Sequence, residues 1–406
     1  MLNRVYLDNS ATTKPRAEVV SLTAAVMEDE YANPSSLHDA GLAAEKIVEA
    51  ARARLSAAIA ADFGVGAGKG LIVFTSGGTE SDNMALLCGA RSGRRRGRRI
   101  ITTRIEHPAV LESCAALAEE GFETVYADVD SDGVAIPESV EAAMGPEAVM
   151  ISCMSVNNET GAVQPLERIA ALKDAFERRE GRRLLLHTDA VQSFCKLAGL
   201  SRADGAAVSE GPAGADMISL SAHKLHGPKG AGALYLRKGL AVGPFVRGGG
   251  QEGGLRSGTE NVPCIAGFGL AAKLAADGRR EAAERAGRLR SMLLDGIMAE
   301  VRDVRLNSSA PLTSPFILNL SFLGAKGEVL LHDLERMGVL VSTGAACSSK
   351  KRGRSHVLAA MGLTEAEAEG AIRFSLGAFS TEAEIERAVA AVKEAVARFR
   401  RVGRFR

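Results

Sequence analysis

The sequence has no tryptophan, only four tyrosines and only six cysteines among its 406 residues, and its charges almost cancel, with 50 Lys and Arg against 49 Asp and Glu. Near-neutrality provides no bulk attraction to nucleic acid or to a membrane surface. No cysteines show the C-x-x-C pattern or zinc-ligand spacing, which argues against a disulfide scaffold and a zinc module. No stretch approaches about 18 uninterrupted apolar residues, and the first residues lack the apolar core of a signal peptide. We therefore expect a soluble, cytoplasmic protein with free thiols and no bound metal.

What the sequence does contain is typical of a globular enzyme, with 46% hydrophobic and 24% charged residues and a length that favours two unequal domains. Short apolar runs rich in branched residues predict strands at 71–75, 99–103, 123–128, 149–155, 183–189, 217–221 and 233–237. Helical patterns lie between several of these runs, so we expect an α/β domain with a mostly parallel sheet. A long helical pattern at 263–301 leads to a smaller α+β region. The predicted division is 16–262 for the large domain, and 1–15 with 263–406 for the small one.

The segment SLSAHKLHGPKG at 219–230 places a lysine just after a predicted strand, in a turn rich in glycine. Partial burial at such a position favours the uncharged amine that a Schiff base requires. For Lys224 taken alone, a surface lysine in a loop is the more common outcome. The residues at other strand ends decide between a cofactor-binding lysine and an ordinary surface lysine.

One of these strand ends, TSGGTESDN at 75–83, follows a strand and opens a helix. Two glycines allow backbone N–H groups to approach an anion, Ser76 and Thr79 offer hydroxyls, and the helix N-terminus adds a favourable dipole. These features predict a phosphate cradle. The segment matches neither G-x-G-x-x-G nor G-x-x-x-x-G-K-[ST], so a dinucleotide or a nucleoside triphosphate is not indicated. An ordinary helix N-cap remains the competing interpretation.

Two further polar residues, His107 and Asn158, follow predicted strands, and Asp189 ends a third. Each has an ordinary structural alternative: a hydrogen-bonded histidine, an Asn-Gly turn and a helix cap, respectively. In a cofactor site, an aspartate can instead pair with a protonated ring nitrogen. Because ligands bind at the carboxyl ends of strands in open α/β sheets, these residues, the cradle and Lys224 together predict a pyridoxal 5′-phosphate enzyme.

The sequence also resembles a known family through motifs that run along nearly the whole chain. They are YLDNSATT (6–13), NPSS (33–36) with His38, TSGGTESDN (75–83), EHPAVLESC (106–114), VNNETG (156–161), DAVQS (189–193), SAHKLHGPKG (221–230), GGGQEGGLRSGTEN (248–261) and STGAACSS (342–349). It is similar to cysteine desulfurases of the class V aminotransferase type, which supply sulfur for iron–sulfur clusters and tRNA thiolation. This resemblance implies fold type I of the pyridoxal-phosphate enzymes.

The resemblance also implies a role for each matching residue. Lys224 is expected to bind the cofactor covalently and His107 to stack on its ring and assist proton transfer. Asp189 is expected to pair with the ring nitrogen. The other implied cofactor ligands are Gln192 at the phenolic oxygen, Gly78, Thr79, Ser221 and His223 at the phosphate, Thr259 from the second subunit of a homodimer, and Asn158. Arg373, with Asn158 nearby, is expected to bind the carboxylate of the substrate L-cysteine.

Cys347 is the residue that the resemblance assigns to sulfur chemistry, on a loop at about 342–354. Basic residues at 350–354 favour its thiolate if they fold back near it. The thiolate is expected to take sulfur from cysteine as a persulfide, leaving alanine, and to pass it to an acceptor such as an iron–sulfur scaffold protein or a tRNA-thiolation enzyme. The basic loop and Ala378, where many relatives carry arginine, depart from the family pattern.

Other functions stay open at this point. A selenocysteine lyase or a class V aminotransferase shares the fold, although an aminotransferase has no use for Cys347. A non-catalytic interaction protein that binds RNA through the basic residues at 94–99 and 350–354 is a remote alternative. That alternative predicts a damaged cofactor site, whereas Lys224, Asp189 and His107 are all present.

Overall fold

The computed structural model describes residues 4–65, 70–198, 214–343 and 355–403, with the backbone alone at 402 and 403. Cys347 and the basic residues at 350–354 lie outside the described residues. In the part of the chain that is described, no helix is long and apolar enough to cross a membrane.

The described elements alternate along the chain. The strands are β1 (Val5–Tyr6), β2 (Gly70–Thr75), β3 (Arg99–Thr103), β4 (Glu123–Ala127), β5 (Ala148–Ser152), β6 (Leu185–Asp189), β7 (Met217–Ser221), β8 (Gly232–Arg237), β9 (Val304–Leu306), β10 (Ile317–Phe322), β11 (Val339–Leu340) and β12 (Ala371–Ser375). The helices are α1 (Ala17–Asp29), α2 (Asp39–Phe63), α3 (Gly78–Gly93), α4 (Pro108–Glu119), α5 (Pro137–Ala143), α6 (Leu166–Glu180), α7 (Val262–Asp277), α8 (Arg279–Glu300), α9 (Gly327–Arg336), α10 (His356–Ala360), α11 (Glu365–Glu369) and α12 (Glu382–Gly403).

The predicted large sheet is confirmed as seven strands in the order β2-β8-β7-β6-β5-β3-β4. Only β8 runs against its neighbours in this sheet, so the other six strands are parallel to one another. Successive residues of β2 face opposite sides: Val73 packs in one core with α3 and α4, whereas Ile72 and Phe74 pack in another with α2 and α7. Burial of both faces explains why these strands appear in the sequence as continuous apolar runs rather than as alternating patterns.

A separate core, outside the large sheet, brings the two ends of the chain together. Val5 and Leu7 pack with side chains of α8, α9, α12 and the antiparallel sheet β12-β10-β9, and β1 pairs with β11. These contacts support the proposed small domain, to which the first 15 residues are assigned. Since α7 belongs to the core of the large sheet, we propose that the large domain extends to Asp277 rather than 262.

The single helix predicted over 263–301 is wrong, because the structure has two helices there. α7 ends at Asp277, α8 begins at Arg279, and Gly278 separates them with φ −103° and ψ 10°. Glycine is the least favourable non-proline residue inside a helix, so a break at this position has a local cause.

Candidate active site

One cavity of about 330 Å³ lies at the edge of the large sheet where β2, β3, β5, β6 and β7 end. The predicted residues that line it are Gly78, Thr79, His107, Asn158, Asp189, Gln192, Ser221, His223, Lys224 and Arg373. These residues come from segments far apart in sequence. The parallel strands bring all of them together except Arg373, which lies on β12 of the smaller sheet. Thr259 is exposed and does not line this cavity, and Cys347 lies outside the described residues.

The predicted phosphate cradle is the first turn of α3, which begins at Gly78. N–H groups in the first turn of a helix have no acceptor within that helix, so they are available to an anion. A Cβ atom on Gly78 would lie 2.8 Å from Cγ2 of Val191 and 3.5 Å from Cβ of Ser221, so the cradle has no room for a side chain there. The Ser221 hydroxyl is buried and has no hydrogen-bond partner among the described residues. An anion bound at the cradle would supply the missing partner.

Two histidines of the cavity are held uncharged at neutral pH. Burial, with Lys224 close by, lowers the pKa of His223 to about 4. The pKa of His107 is also lowered, mainly by burial, although the nearby Asp189 charge opposes this shift. Nδ1 of His107 accepts a hydrogen bond from the Ala109 N–H at 3.1 Å, which caps α4 and places the ring proton on Nε2. The lone pair of the neutral ring is therefore engaged by the Ala109 N–H, and Nε2–H is the group that His107 can offer to a ligand as a donor.

Asp189 ends β6 as a buried carboxyl group. Its Oδ1 accepts a hydrogen bond from the Val191 N–H at 2.9 Å, and burial raises its pKa although His107 and Lys224 act to lower it. A buried carboxylate is costly without a cationic partner. A protonated pyridine nitrogen is such a partner, so the group fits the predicted cofactor.

Lys224 ends a short 3₁₀ turn directly after β7. Its Nζ donates hydrogen bonds to the main-chain carbonyls of Ser10 and, at 2.8 Å, Ala11. Nε2 of Gln192 also donates to the Ser10 carbonyl, at 3.0 Å, and the Thr13 hydroxyl donates to the carbonyl of His223 at 2.8 Å. The segment that follows β1 is therefore part of the cavity wall, a role that residue types alone did not reveal.

Arg373 on β12 is almost completely buried at the cavity, with 4% of its surface exposed. Its Nη2 donates to Oδ1 of Asp8 at 2.7 Å, and its Nη1 donates to the main-chain carbonyl of Asn158 at 3.0 Å. Its Nε is buried, and no partner for it lies in the part of the chain that the structure describes. A guanidinium with a free donor suits a carboxylate ligand.

The two described ends of the segment that contains Cys347 attach beside these residues. The main chain of Ser342 exchanges hydrogen bonds with the main chain of Arg373, with an N–H to carbonyl distance of 3.2 Å in one direction and 2.6 Å in the other. After the gap, the Ser355 hydroxyl donates to Oε2 of Glu159 at 2.6 Å. Glu159 directly follows Asn158, so both attachments lie at the same wall of the cavity.

The chemistry of these donors fits pyridoxal 5′-phosphate: an anion cradle, an amine, and a buried carboxylate lie in one cavity. The structure adds Asp8, Ser10 and Asp82, which the residue types and spacing did not identify. Asp82 stands between Ser81 and Asn83 in the polar beginning of α3, so the local pattern does not mark it as a cavity residue. Among the described residues, no group of three or more His, Cys, Asp or Glu side chains could hold a metal ion.

Comparisons with known proteins agree with this assignment. The family model for class V aminotransferases matches residues 5–388. Cysteine desulfurase IscS of Dictyoglomus turgidum is 36% identical over 406 residues, which cover 100% of this chain and 98% of that protein. A solved structure named NifS-like protein has a TM-score of 0.85 and 36% identity, covering 97% of this chain and 99% of the other. Another, named SspA in complex with cysteine, has a TM-score of 0.76 and 33% identity, covering 93% and 99%.

These names favour a cysteine desulfurase over the selenocysteine lyase and the aminotransferase left open by the sequence. The predicted fold type and cofactor are confirmed by the same matches. The chain belongs to the class V aminotransferase family, in which its relatives are pyridoxal 5′-phosphate-dependent cysteine desulfurases.

Proposed function

We propose that this protein removes sulfur from L-cysteine, leaving L-alanine and a persulfide on Cys347. The observation that carries the proposal is the placement of Lys224, Asp189 and His107 in one cavity with Arg373, a ready partner for an amino-acid carboxylate. The similarity to proteins named cysteine desulfurase, and to a structure named as a complex with cysteine, supports this choice of substrate.

Different residues bind different parts of the cofactor. Pyridoxal 5′-phosphate, when bound, supplies an electron sink that activates the Cβ–S bond of an amino acid. The first turn of α3 and the Ser221 hydroxyl hold the phosphate, Lys224 supplies the amine, and Asp189 holds a proton on the ring nitrogen. Gln192, Asn158, His223 and, from the second subunit, Thr259 complete the set of proposed cofactor ligands.

Arg373 and His107 act on the substrate. The guanidinium binds the α-carboxylate and thereby fixes which bonds at Cα face the cofactor ring. His107, uncharged at neutral pH and carrying its proton on Nε2, assists proton transfer by donating a hydrogen bond from Nε2 in the cavity.

Sulfur transfer needs a nucleophile that attacks the substrate sulfur. In the proposed step the Cys347 thiolate forms an S–S bond while the Cβ–S bond of the substrate breaks, and the released carbon gains a proton to give alanine. L-cysteine and an enzyme thiol thus become L-alanine and an enzyme persulfide, and no external oxidant is required. Ser342 and Ser355, which are described on either side of the segment that contains Cys347, are attached at the wall beside Arg373 and Glu159, and this supports the proposed role of Cys347.

We infer that the enzyme is a cytoplasmic homodimer that delivers sulfur to a protein acceptor, either an iron–sulfur scaffold or a tRNA-thiolation enzyme. Large apolar side chains on and after α1 support a subunit interface: Met27, Tyr31 and Leu37 are 60%, 82% and 95% exposed. Exposed Thr259 is available to contribute to the site of the partner subunit, as the resemblance implies.

The test is transfer of radioactive sulfur from [³⁵S]cysteine to the protein without reductant. The parent is expected to retain label that a thiol reductant releases, and Cys347→Ala to retain none while keeping bound cofactor. Cys264→Ala is the matched control, because Cys264 is the one described cysteine that is partly exposed, and it should label like the parent. Label retained by Cys347→Ala would refute the assignment of the nucleophile.

A further inference from the structure

The segments that follow β3 and β5 carry His107 and Asn158 into the cavity, and the pairing of the two strands does not reach that far. The last paired residues of these parallel strands are Ile101 and Ile151. The strands themselves end at 103 and 152. Contacts other than the strand ladder must therefore set the distance between the two segments.

Glu106 makes one such contact. Its Oε1 and Oε2 lie 3.1 and 3.0 Å from the main-chain nitrogen of Met154 and accept its N–H, and Oε1 also accepts the Thr103 hydroxyl at 2.7 Å. The Glu106 side chain belongs to a residue that is only 1% exposed. Because a buried N–H without an acceptor is costly, the carboxyl group supplies what a further residue of β3 would otherwise supply.

Asn157 makes a second contact in the opposite direction. Its Nδ2 donates to the main-chain carbonyl of Ile105 at 3.0 Å. Its Oδ1 accepts the N–H groups of Glu159 and Thr160, each at 2.9 Å, and the residue is completely buried. A side chain of each segment thus bonds to the main chain of the other.

These two contacts, Glu106 to Met154 and Asn157 to Ile105, form a reciprocal clasp that lies next to the ligand site but not in it. Neither clasp side chain lines the cavity, whereas the residue directly after each of them does. A side chain that contacts no ligand can still hold its neighbours in a productive geometry.

The segment after β5 is also fixed by contacts that do not involve the clasp. The Ser155 N–H donates to the Asp189 carbonyl at 2.9 Å, and the Gln164 N–H donates to the Ser155 carbonyl at 2.9 Å. The carbonyl of Asn158 accepts a hydrogen bond from Arg373 at 3.0 Å. The clasp therefore places the turn that ends at His107 against a wall that other contacts hold.

We propose that Glu106 and Asn157 are positioning residues whose reciprocal clasp sets the place of the His107 ring in the cavity. This inference rests on the proposed function, in which that ring stacks on the cofactor. With the clasp broken, the turn after β3 shifts and the ring loses its contact with the bound cofactor. The clasp residues touch neither substrate nor cofactor.

Variants of the clasp are expected to fold, because α10 begins against the same two segments. Nε2 of His356 donates to the main-chain carbonyl of Glu106 at 2.9 Å, and the Ser355 hydroxyl donates to Glu159 at 2.6 Å. Neither contact uses a clasp side chain, so both remain when one is replaced.

The test is a double-mutant cycle on the Kd for pyridoxal 5′-phosphate, measured by fluorescence titration. Glu106→Ala is expected to raise the Kd roughly fivefold in the parent, the effect of losing one aromatic stacking contact. In a His107→Ala background the ring is absent, so the same change should alter the Kd less than twofold. Asn157→Asp keeps the acceptor Oδ1 and removes the donor Nδ2, and it should reproduce this pattern. A general structural loss would raise the Kd by the same factor in both backgrounds.

Glu106→Gln is the conservative variant. Burial raises the pKa of Glu106 to about 8, so this group is mainly uncharged at neutral pH and an amide is its close match. The amide can accept the Met154 N–H and donate to the Thr103 hydroxyl, so its Kd should be that of the parent. Asp216→Asn is the control, because Asp216 is buried and accepts the Leu186 N–H at 2.9 Å but does not line this cavity. It should also bind like the parent.

Three results would overturn the inference: an equal factor in the two backgrounds, an unchanged Kd in both Glu106→Ala and Asn157→Asp, or no recovery in Glu106→Gln. A parent that binds the cofactor but does not desulfurate cysteine would overturn only the proposed function, because the titration needs binding and not turnover. A parent that binds no cofactor would overturn both.

Discussion

Arg373 and Asp8 form an ion pair at the cavity wall, with Nη2 of the arginine 2.7 Å from Oδ1 of the aspartate. The arginine side chain is 4% exposed and that of the aspartate 23%. Asp8 follows β1 and Arg373 lies on β12, so the pair joins the two ends of the chain at the site. The guanidinium is thereby fixed before a substrate arrives, which reduces the ordering cost of binding.

Replacing Arg373 with glutamine removes the charged donor proposed for the substrate carboxylate. We expect the KM for L-cysteine to rise roughly 10- to 100-fold, the usual cost of losing a hydrogen bond between charged groups, with the cofactor absorbance retained. Steady-state alanine formation measures this. Arg305→Gln, which breaks a pair with Glu367 away from the cavity, is the control and should leave KM unchanged. A KM within threefold of the parent for Arg373→Gln would contradict the role.

Gly78→Ala tests the cradle. The new Cβ would lie 2.8 Å from Cγ2 of Val191, so the helix N-terminus must move away from the phosphate. We expect the Kd for the cofactor to rise about tenfold, since a displaced cradle loses on the order of one hydrogen bond. Val191→Ala in the same chain removes the clash and should restore binding, which fluorescence titration would measure. Failure of this rescue would show that the cradle depends on glycine for another reason.

His226 provides a pH prediction. Its Nε2 accepts the Ala378 N–H at 3.1 Å, its Nδ1 is 2.7 Å from the Lys14 carbonyl, and burial lowers its pKa to about 4. Between pH 6.5 and 4 the unfolded chain therefore binds this proton and the folded chain does not. The contribution of His226 to the free energy of unfolding therefore falls by about 1.4 kcal/mol per pH unit as the pH decreases through this range.

Glutamine at 226 can make both hydrogen bonds but does not titrate. We therefore expect the stability advantage of the parent over His226→Gln, measured by urea unfolding, to shrink by about 2 kcal/mol between pH 7 and pH 5. The comparison cancels the other titrating groups, which are common to both proteins. An advantage that is equal at the two pH values would contradict the assigned shift.

Thr259 tests the proposed dimer. If it serves the site of the partner subunit, Lys224→Ala and Thr259→Ala subunits complement each other when mixed. One site of the mixed dimer then has an intact lysine and receives an intact threonine. We expect activity above the mean of the separate variants after subunit exchange. Activity equal to that mean would place Thr259 outside the partner's site.

The sequence was sufficient to predict a ligand site at the carboxyl edge of the large sheet. The strands that lead to His107, Asn158 and Asp189 are short apolar runs that can be recognised in the sequence. Because ligands bind at the carboxyl ends of such strands, these three residues could be predicted to lie in one site. The strand predicted over 149–155 ends earlier, at Ser152, but Asn158, which follows it, still reaches the cavity.

Tertiary relationships escaped prediction because their partners are remote in sequence. The place of Asp8 in the site depends on its ion pair with Arg373, and that of Asp82 depends on its neighbours Ser219 and Asp189. None of these partners can be read from the local sequence. The break at Gly278 was missed since glycine is tolerated within many helical patterns. The predicted role of Cys347 remains a prediction.

The activity proposed for this protein is the conversion of L-cysteine into alanine with release of its sulfur. The most direct measurement is the yield of alanine and sulfide from L-cysteine, in the presence of a thiol reductant, by purified protein loaded with pyridoxal 5′-phosphate. We predict equal yields of the two products, and loss of both in Lys224→Ala. A protein that retains the absorbance of the bound cofactor but forms no alanine would contradict the claim.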